Sequence, residues 1–290
     1  MFAAAVAPVL AVAFQSSLAA AQGAAGVAAQ AGGPVVLAPH RAIYDVLLDR
    51  ARGGSGVSDL SGRMVYELTG SPCEGYTQTM RFVTRMTNQE GASSLTDMRS
   101  TSWEDAAFKA FRFDSTQYKD EKLQEATLGD AARTDMAAEG KIELTKPEKK
   151  QVVLKSNVLF PIQHSIAMLQ AARQGESLFK ADLYDGSEKG EKFYATTAFI
   201  GKAQEAGANA KLPKVANAER LDGMRSWPIS ISYFEAGAEK QDAAPSYELA
   251  FLFFDNGVSR RLYIDYGDFS IKGTLKQITF LEPGKCEAKP

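Results

Sequence analysis

The chain has 290 residues, of which 45% are hydrophobic and 23% charged, and its 33 basic and 35 acidic side chains give a formal net charge of −2. This is the composition of an ordinary globular protein that can bury a sizeable core. The balanced charge excludes the basic footprint of a nucleic-acid-binding protein, and no segment is long and apolar enough to be predicted as a membrane-spanning helix.

The N-terminal segment has the features of a signal peptide. No charged residue occurs before His40, and residues 2–14 form an apolar run of the length that signal peptides use. Ala19-Ala20-Ala21 and Ala29-Gln30-Ala31 are both possible small-residue cleavage sites, although no basic residue precedes the apolar run. An apolar disordered tail is the alternative interpretation. We predict a signal peptide over residues 1–31, a single domain over residues 32–290, and export to a bacterial periplasm.

The two cysteines, Cys73 and Cys286, lie near the two ends of the predicted domain. Exported proteins can form disulfides, and the number of cysteines is even. We therefore predict one disulfide between them, with two free thiols as the alternative. A metal site is not predicted, because zinc prefers four ligands and the chain adds only two histidines, His40 and His164.

The opening of the domain, residues 38–48, fits neither a helical nor a strand period cleanly, so a short helix and an edge strand both stay possible. From Gly62 onward the pattern is that of β-strands. Met64, Tyr66 and Leu68 alternate with residues of the other face. Further segments of this kind are residues 76–86, 93–103, 108–118, 122–128, 140–144, 151–154, 178–184, 191–200, 229–234, 247–254, 258–266 and 269–281.

One helix interrupts the strands. Pro161 suits a first helical turn, and Ile162, Ile166 and Leu169 follow at helical spacing, which predicts a helix over residues 161–173. Residues 202–222 are polar and irregular and are predicted to form a long loop. Twelve to fourteen strands joined by short turns indicate an antiparallel sandwich or barrel.

Catalytic motifs are hard to find in this sequence. It contains no nucleophile elbow and no phosphate-binding loop. His40 is predicted to lie in a disordered segment, and His164 to be a partly buried helix residue that hydrogen-bonds to the sheet. No catalytic residue, metal ligand or cofactor site is therefore predicted.

Acidic residues offer two weaker alternatives. Asp105 and Asp268 stand beside aromatic residues at predicted strand ends, and a glycosidase needs two carboxylates across a cleft, so a hydrolase of envelope polysaccharide is one alternative. Asp182, Asp185 and Glu188 lack the spacing of a calcium-binding loop and are interpreted as a solvated turn.

Aromatic residues are abundant, with 16 Phe, 10 Tyr and 2 Trp. They could simply fill a β core. They could equally line the apolar cavity of an incomplete barrel, since large barrels enclose more space than side chains fill. Such a cavity would bind a lipid or the acyl chain of a lipoprotein.

The sequence resembles the cell envelope integrity protein EipB family of Gram-negative periplasms. The similarity extends in order through nearly the whole predicted domain. The blocks that carry it are His40-Arg41-Ala42-Ile43-Tyr44, Gly62-Arg63-Met64-Val65-Tyr66-Glu67, Cys73-Glu74-Gly75-Tyr76, Arg81-Phe82-Val83-Thr84, Ser100-Thr101-Ser102-Trp103-Glu104-Asp105, Leu159-Phe160-Pro161-Ile162-Gln163-His164, Tyr184-Asp185-Gly186-Ser187-Glu188, Arg225-Ser226-Trp227-Pro228, Asn256-Gly257-Val258-Ser259-Arg260 and Asp265-Tyr266-Gly267-Asp268-Phe269.

The resemblance implies an open, spiral-like antiparallel β-barrel of about fourteen strands with one or two helices. It also implies a disulfide, which falls on Cys73 and Cys286, and a non-enzymatic role in envelope integrity and stress resistance. The expected partners are other periplasmic envelope proteins or an apolar envelope ligand, with no nucleic acid and no cofactor.

Overall fold

One antiparallel sheet of fourteen strands runs through the described part of the chain, residues 33–235 and 244–286 of a computed structural model. The predicted signal peptide, residues 1–31, lies outside the described residues. The strands are β1 (His40–Ala51), β2 (Val57–Ser71), β3 (Gly75–Asn88), β4 (Ser93–Glu104), β5 (Ala110–Lys119), β6 (Lys122–Ala132), β7 (Gly140–Lys146), β8 (Lys150–Leu154), β9 (Leu178–Leu183), β10 (Tyr194–Ile200), β11 (Ser226–Glu235), β12 (Tyr247–Phe254), β13 (Ser259–Asp265) and β14 (Phe269–Phe280).

The strand order explains the shape of the sheet. Each strand pairs with its neighbour in sequence, with two exceptions: β1 also pairs with β14, and β8 does not pair with β9. The sheet is therefore an open meander whose two edges are β8 and β9. The predicted fold class, an open antiparallel β-barrel of about fourteen strands, is confirmed, and one α-helix occurs in the described residues.

Strand β1 corrects the interpretation of residues 38–48. It is neither a helix nor an edge strand but a central strand between β2 and β14. Its side chains Ala42, Tyr44 and Val46 are buried on the inner face of the sheet. Residue His40 begins the strand opposite Phe280, so it is ordered and buried, and its assignment to a disordered segment was wrong.

The helix α1 (Pro161–Gln174) joins β8 to β9. Proline stands at its first position, and Gly175 ends it in the left-handed conformation at φ 80°. The predicted helix is confirmed. Its buried side chains pack in the largest core cluster with residues of the inner sheet face, including Leu68 and Trp227.

Helix α1 crosses one end of the sheet, which we call the helix end. Glu104, the last residue of β4, lies at the start of the helix, and Asp255, which follows β12, pairs with Arg173 in its last turn. Because the strands are antiparallel, β1 begins at this same end. The helix therefore forms the wall of the interior at this end.

Two connections complete the interior. The β9–β10 loop packs on the inner face of β5–β7, where a Cβ atom on Gly186 would lie 2.4 Å from the ring of Phe113. The long connection before β11 fills a gap beside β14: Ala216 bridges Gln277, and Leu221 is fully buried. This connection is irregular, as predicted for residues 202–222, with two short 3-10 turns.

Candidate functional site

An internal cavity of about 310 Å³, which is partly open to solvent, lies between helix α1 and the inner face of the sheet. This volume is at the lower end of the range of roughly 300–1,000 Å³ that small-molecule sites occupy. The cavity has room for a small ligand or for part of a longer one.

The walls of the cavity differ in chemistry from side to side. Strands β11 to β13 contribute mainly apolar side chains, such as Ile231, Leu249 and Phe251. Helix α1 contributes a mixed wall. Strands β1 to β3 contribute both polar and apolar side chains to the lining. The polar residues of the lining are His40, Tyr44, Tyr66, Gln78, His164, Ser165, Tyr233 and Ser259.

His164 is a structural residue of this wall. Its Nε2 lies 2.9 Å from the Thr196 hydroxyl oxygen, and that hydroxyl donates to the carbonyl of Ala181. The hydroxyl hydrogen of Thr196 is therefore already donated to Ala181. His164 Nε2–H must then be the donor in the hydrogen bond between His164 and Thr196. Burial lowers the pKa of His164 to about 4. The predicted helix position and hydrogen bond to the sheet are confirmed, and His164 is fully rather than partly buried.

His40 and Tyr66 form a polar pair on the opposite wall. The side chain of His40 is 1% exposed, and its Nδ1–H donates to the carbonyl of Ala38 at 2.7 Å. Burial lowers its pKa, so the ring is neutral and its Nε2 is an acceptor. The Tyr66 ring lies 5.5 Å from the His40 ring, centroid to centroid. Neither His40 Nε2 nor the Tyr66 hydroxyl has a hydrogen-bond partner among the described residues.

A buried carboxyl group holds the start of helix α1. The N-cap residue, Phe160, has no side chain that can cap the helix. Instead Glu104, which is 1% exposed, accepts hydrogen bonds from the backbone N–H groups of Ile162 at 2.5 Å and Gln163 at 3.1 Å. Burial raises the pKa of Glu104 to about 8, against the opposing effects of these two bonds and of the Arg133 guanidinium. Glu104 and Ile162, which are 58 residues apart in the sequence, thus meet beside the wall of the cavity.

Arg133 completes this anchor. Its guanidinium donates to the carbonyls of Phe108 and Val158 and to the side-chain oxygen of Gln163. It also lies over the ring of Phe160, 4.4 Å from the ring centroid. The loop after β4, the segment before the helix and the first helical turn are therefore held as one unit.

The candidate catalytic carboxylates do not form a site. Asp105 accepts hydrogen bonds from the backbone of Lys109 and Ala110 and so shapes the β4–β5 turn at the helix end. Asp268 lies in the β13–β14 turn, at the opposite end of the strands. The two carboxylates cannot act together on one substrate bond.

The acidic residues of the β9–β10 loop have structural partners. Asp185 accepts the backbone N–H of Ser187, and Glu188 forms an ion pair with Lys192. Among the residues that the structure describes, no group of three or more His, Cys, Asp or Glu side chains could hold a metal ion.

The two cysteines stand at disulfide distance. Cys73 lies in the β2–β3 turn and Cys286 follows β14, with their Sγ atoms 2.00 Å and their Cα atoms 5.3 Å apart. The neighbouring backbone N–H of Gly284 donates to the carbonyl of Gly70. The segment after the last strand is thereby fixed to the helix end of the sheet.

A larger depression of about 590 Å³ lies on the outer face of β14 and β1 to β4. It is wide open, and its lining includes Leu47, Arg63 and Arg85. The internal cavity is the stronger candidate, because it can surround a ligand with apolar walls and a few fixed polar groups.

No helix in residues 33–235 and 244–286 combines the length and apolarity that crossing a membrane requires.

Comparison with known proteins agrees with this architecture. The model of the EipB-like family matches residues 31–282. The cell envelope integrity protein EipB of Brucella abortus (strain 2308) is 40% identical over 260 residues, which cover 89% of each chain. A crystal structure of a β-barrel-like protein from Brucella abortus, with a domain of unknown function, matches with a TM-score of 0.76 at 37% identity and covers 85% of this chain and 99% of its own. The chain therefore belongs to the EipB-like family.

Proposed function

We propose that this protein maintains the integrity of the cell envelope from the periplasm by binding a small apolar ligand, a lipid or the acyl chain of a lipoprotein, without catalysing a reaction. The envelope role is supported by the relative that carries this name. The ligand is supported by one observation above all, the internal cavity between helix α1 and the apolar strands β11 to β13.

The periplasmic location rests on two features. Residues 1–31 have the composition of a signal peptide, and Cys73 and Cys286 stand at the distance of a disulfide, a bond that is rare in the cytosol. We propose that residues 32–290 form one exported domain that this disulfide closes.

Two other roles have less support. A scaffold for protein partners would use the outer surface and would not need a cavity. A polysaccharide hydrolase would need a pair of converging carboxylates, whereas Asp105 and Asp268 lie at opposite ends of the strands.

Native mass spectrometry of protein purified gently from periplasm tests the proposal. We expect a co-purifying lipid-sized mass, and we expect the emptied protein to bind a fluorescent hydrophobic probe that a lipid extract displaces. If the purified protein is free of ligand and binds neither the probe nor any lipid in the extract, the proposal is wrong.

A matched pair of leucine variants locates the binding. Leu249→Trp fills the cavity from β12, whereas Leu47→Trp adds the same side chain to the outer face, where Leu47 is 59% exposed. We expect Leu249→Trp to abolish probe binding and Leu47→Trp to bind like the wild type. The melting temperature of both is measured, since overpacking costs about 1–3 kcal/mol. Equal binding by the two variants would place the ligand outside the cavity.

A further inference from the structure

The polar pair of His40 and Tyr66 has no structural role that accounts for its free atoms. Most buried polar atoms in native proteins have a hydrogen-bond partner. Here Nε2 of His40, a residue that is 1% exposed, and the hydroxyl of the partly buried Tyr66 both belong to the cavity lining, and the hydrogen bonds among the described residues use neither atom. Both atoms are therefore available to hydrogen-bond a molecule inside the cavity, either water or a ligand that replaces it.

The hydrogen-bonding states of the two groups define that molecule. His40 donates through Nδ1 to Ala38, so Nε2 presents a lone pair and requires a donor. The Tyr66 hydroxyl can donate a hydrogen or accept one. A group that gives a hydrogen to His40 and accepts one from Tyr66 satisfies both. Alcohols and amides have this combination.

Charged groups fit the pair poorly. An ionised carboxylate has no hydrogen to give to His40. An ammonium group could donate to His40, but no Asp or Glu lines the cavity in the described part of the chain. A charge without a counterion is costly in an apolar enclosure.

We infer that the cavity takes an amphiphile whose uncharged polar group, a hydroxyl or an amide, lies between His40 and Tyr66 while its hydrocarbon part contacts the apolar strands β11 to β13. This inference rests on the proposed function, because it names the class of ligand that the same cavity binds.

Three eight-carbon probes test the inference by displacement of a bound fluorescent dye at pH 8. 1-Octanol can donate and accept, heptyl methyl ether can only accept, and octanoate is ionised. We expect the Kd of 1-octanol to be about tenfold lower than that of either other probe, which is the effect of one or two net hydrogen bonds.

Variants assign the effect to the two residues. In His40→Leu the hydroxyl hydrogen of 1-octanol loses its acceptor. The Kd of 1-octanol should therefore no longer be lower than that of the ether. In Tyr66→Phe both probes lose one bond, so both Kd values should rise about fivefold while their ratio is kept. Tyr184→Phe is the control, because its hydroxyl bonds to Gly190 outside the cavity lining. It should lower the melting temperature and leave both Kd values unchanged.

The outcomes distinguish a failure of this inference from a failure of the proposed function. Equal affinity for the three probes, or tightest binding of octanoate, would overturn the inference and leave the apolar cavity in place. Failure of every probe to displace the dye would remove the proposed function as well. A His40→Leu protein that does not fold would leave Tyr66→Phe as the deciding variant, and unchanged binding by Tyr66→Phe would also overturn the inference.

Discussion

Replacing Glu104 by Gln should change how the stability of this protein depends on pH. The side chain is buried and holds the first turn of helix α1 through two backbone N–H groups. Glutamine has nearly the same shape and keeps one acceptor oxygen, but it does not titrate. The comparison between Glu104→Gln and the wild type therefore isolates the protonation of this one carboxyl group.

The sign of the effect follows from the pKa. Burial raises the pKa of Glu104 from its ordinary value of 4.5 to about 8. A carboxyl group whose pKa is higher in the folded protein contributes stability that is complete below pH 4.5 and is lost as the pH rises through 8. At roughly 1.4 kcal/mol per unit, the loss from this group between pH 6.5 and pH 8 is about 2 kcal/mol.

Another buried group titrates in the opposite direction at lower pH. The pKa of His164 is lowered to about 4, so its contribution to stability grows as the pH rises from 4 to 6.5. The two effects overlap below pH 6.5, and only that of Glu104 continues above it. Because His164 is present in both proteins, its contribution cancels in the difference between the variant and the wild type.

Urea unfolding at pH 5, 6.5, 8 and 9, followed by the fluorescence of the buried Trp227, measures this difference. At pH 5 the variant should be less stable than the wild type by about 1 kcal/mol, the worth of one hydrogen bond. Because the wild type loses roughly 1.4 kcal/mol per pH unit, the variant should become the more stable of the two at about pH 6 and remain so at pH 8 and 9. Parallel pH profiles would show that Glu104 does not titrate in this range and would refute the reasoning.

Two further predictions concern the packing of the chain. Cys73→Ser opens a loop with a sequence separation of 213, so the free energy of unfolding should fall by up to roughly 5 kcal/mol. A melting temperature equal to that of the oxidised wild type would contradict the disulfide. The double variant Cys73→Ser/Cys286→Ser should melt at the same temperature as Cys73→Ser. Gly186→Ala adds a Cβ atom 2.4 Å from the ring of Phe113 at a φ of +73°, and it should cost about 2 kcal/mol or more in urea unfolding. An unchanged midpoint for Gly186→Ala would mean that the β9–β10 loop does not pack on β5.

Local elements of this fold could be predicted from sequence because their signals are local. The β12–β13 hairpin has Asn256-Gly257 at its turn, and Gly257 adopts the positive φ that such a turn requires. The helix is bounded by Pro161 and Gly175, which act within a single turn of chain. The number of strands follows from turns of this kind repeated along the sequence.

The arrangement of distant segments could not be predicted in the same way. In β1 the outward residues Ile43 and Leu47 are themselves apolar, so the alternation that marks a strand is hidden. Its partner β14 is the last strand of the chain. Nothing near Glu104 indicates that its carboxyl group caps a helix beginning at Pro161. The cavity exists only because these long-range contacts form.

The pairing of β1 with β14 has a consequence for how this chain acquires its structure. Strands β1 to β8 can assemble hairpin by hairpin as the chain emerges, but one hydrogen-bonding edge of β1 stays unsatisfied until β14 arrives. Contacts between such distant segments slow folding, and an unpaired strand edge can associate with other chains. The partly folded sheet of strands β1 to β8 is therefore exposed to association with other chains, and variants that weaken β14 should aggregate more during folding than the wild type does.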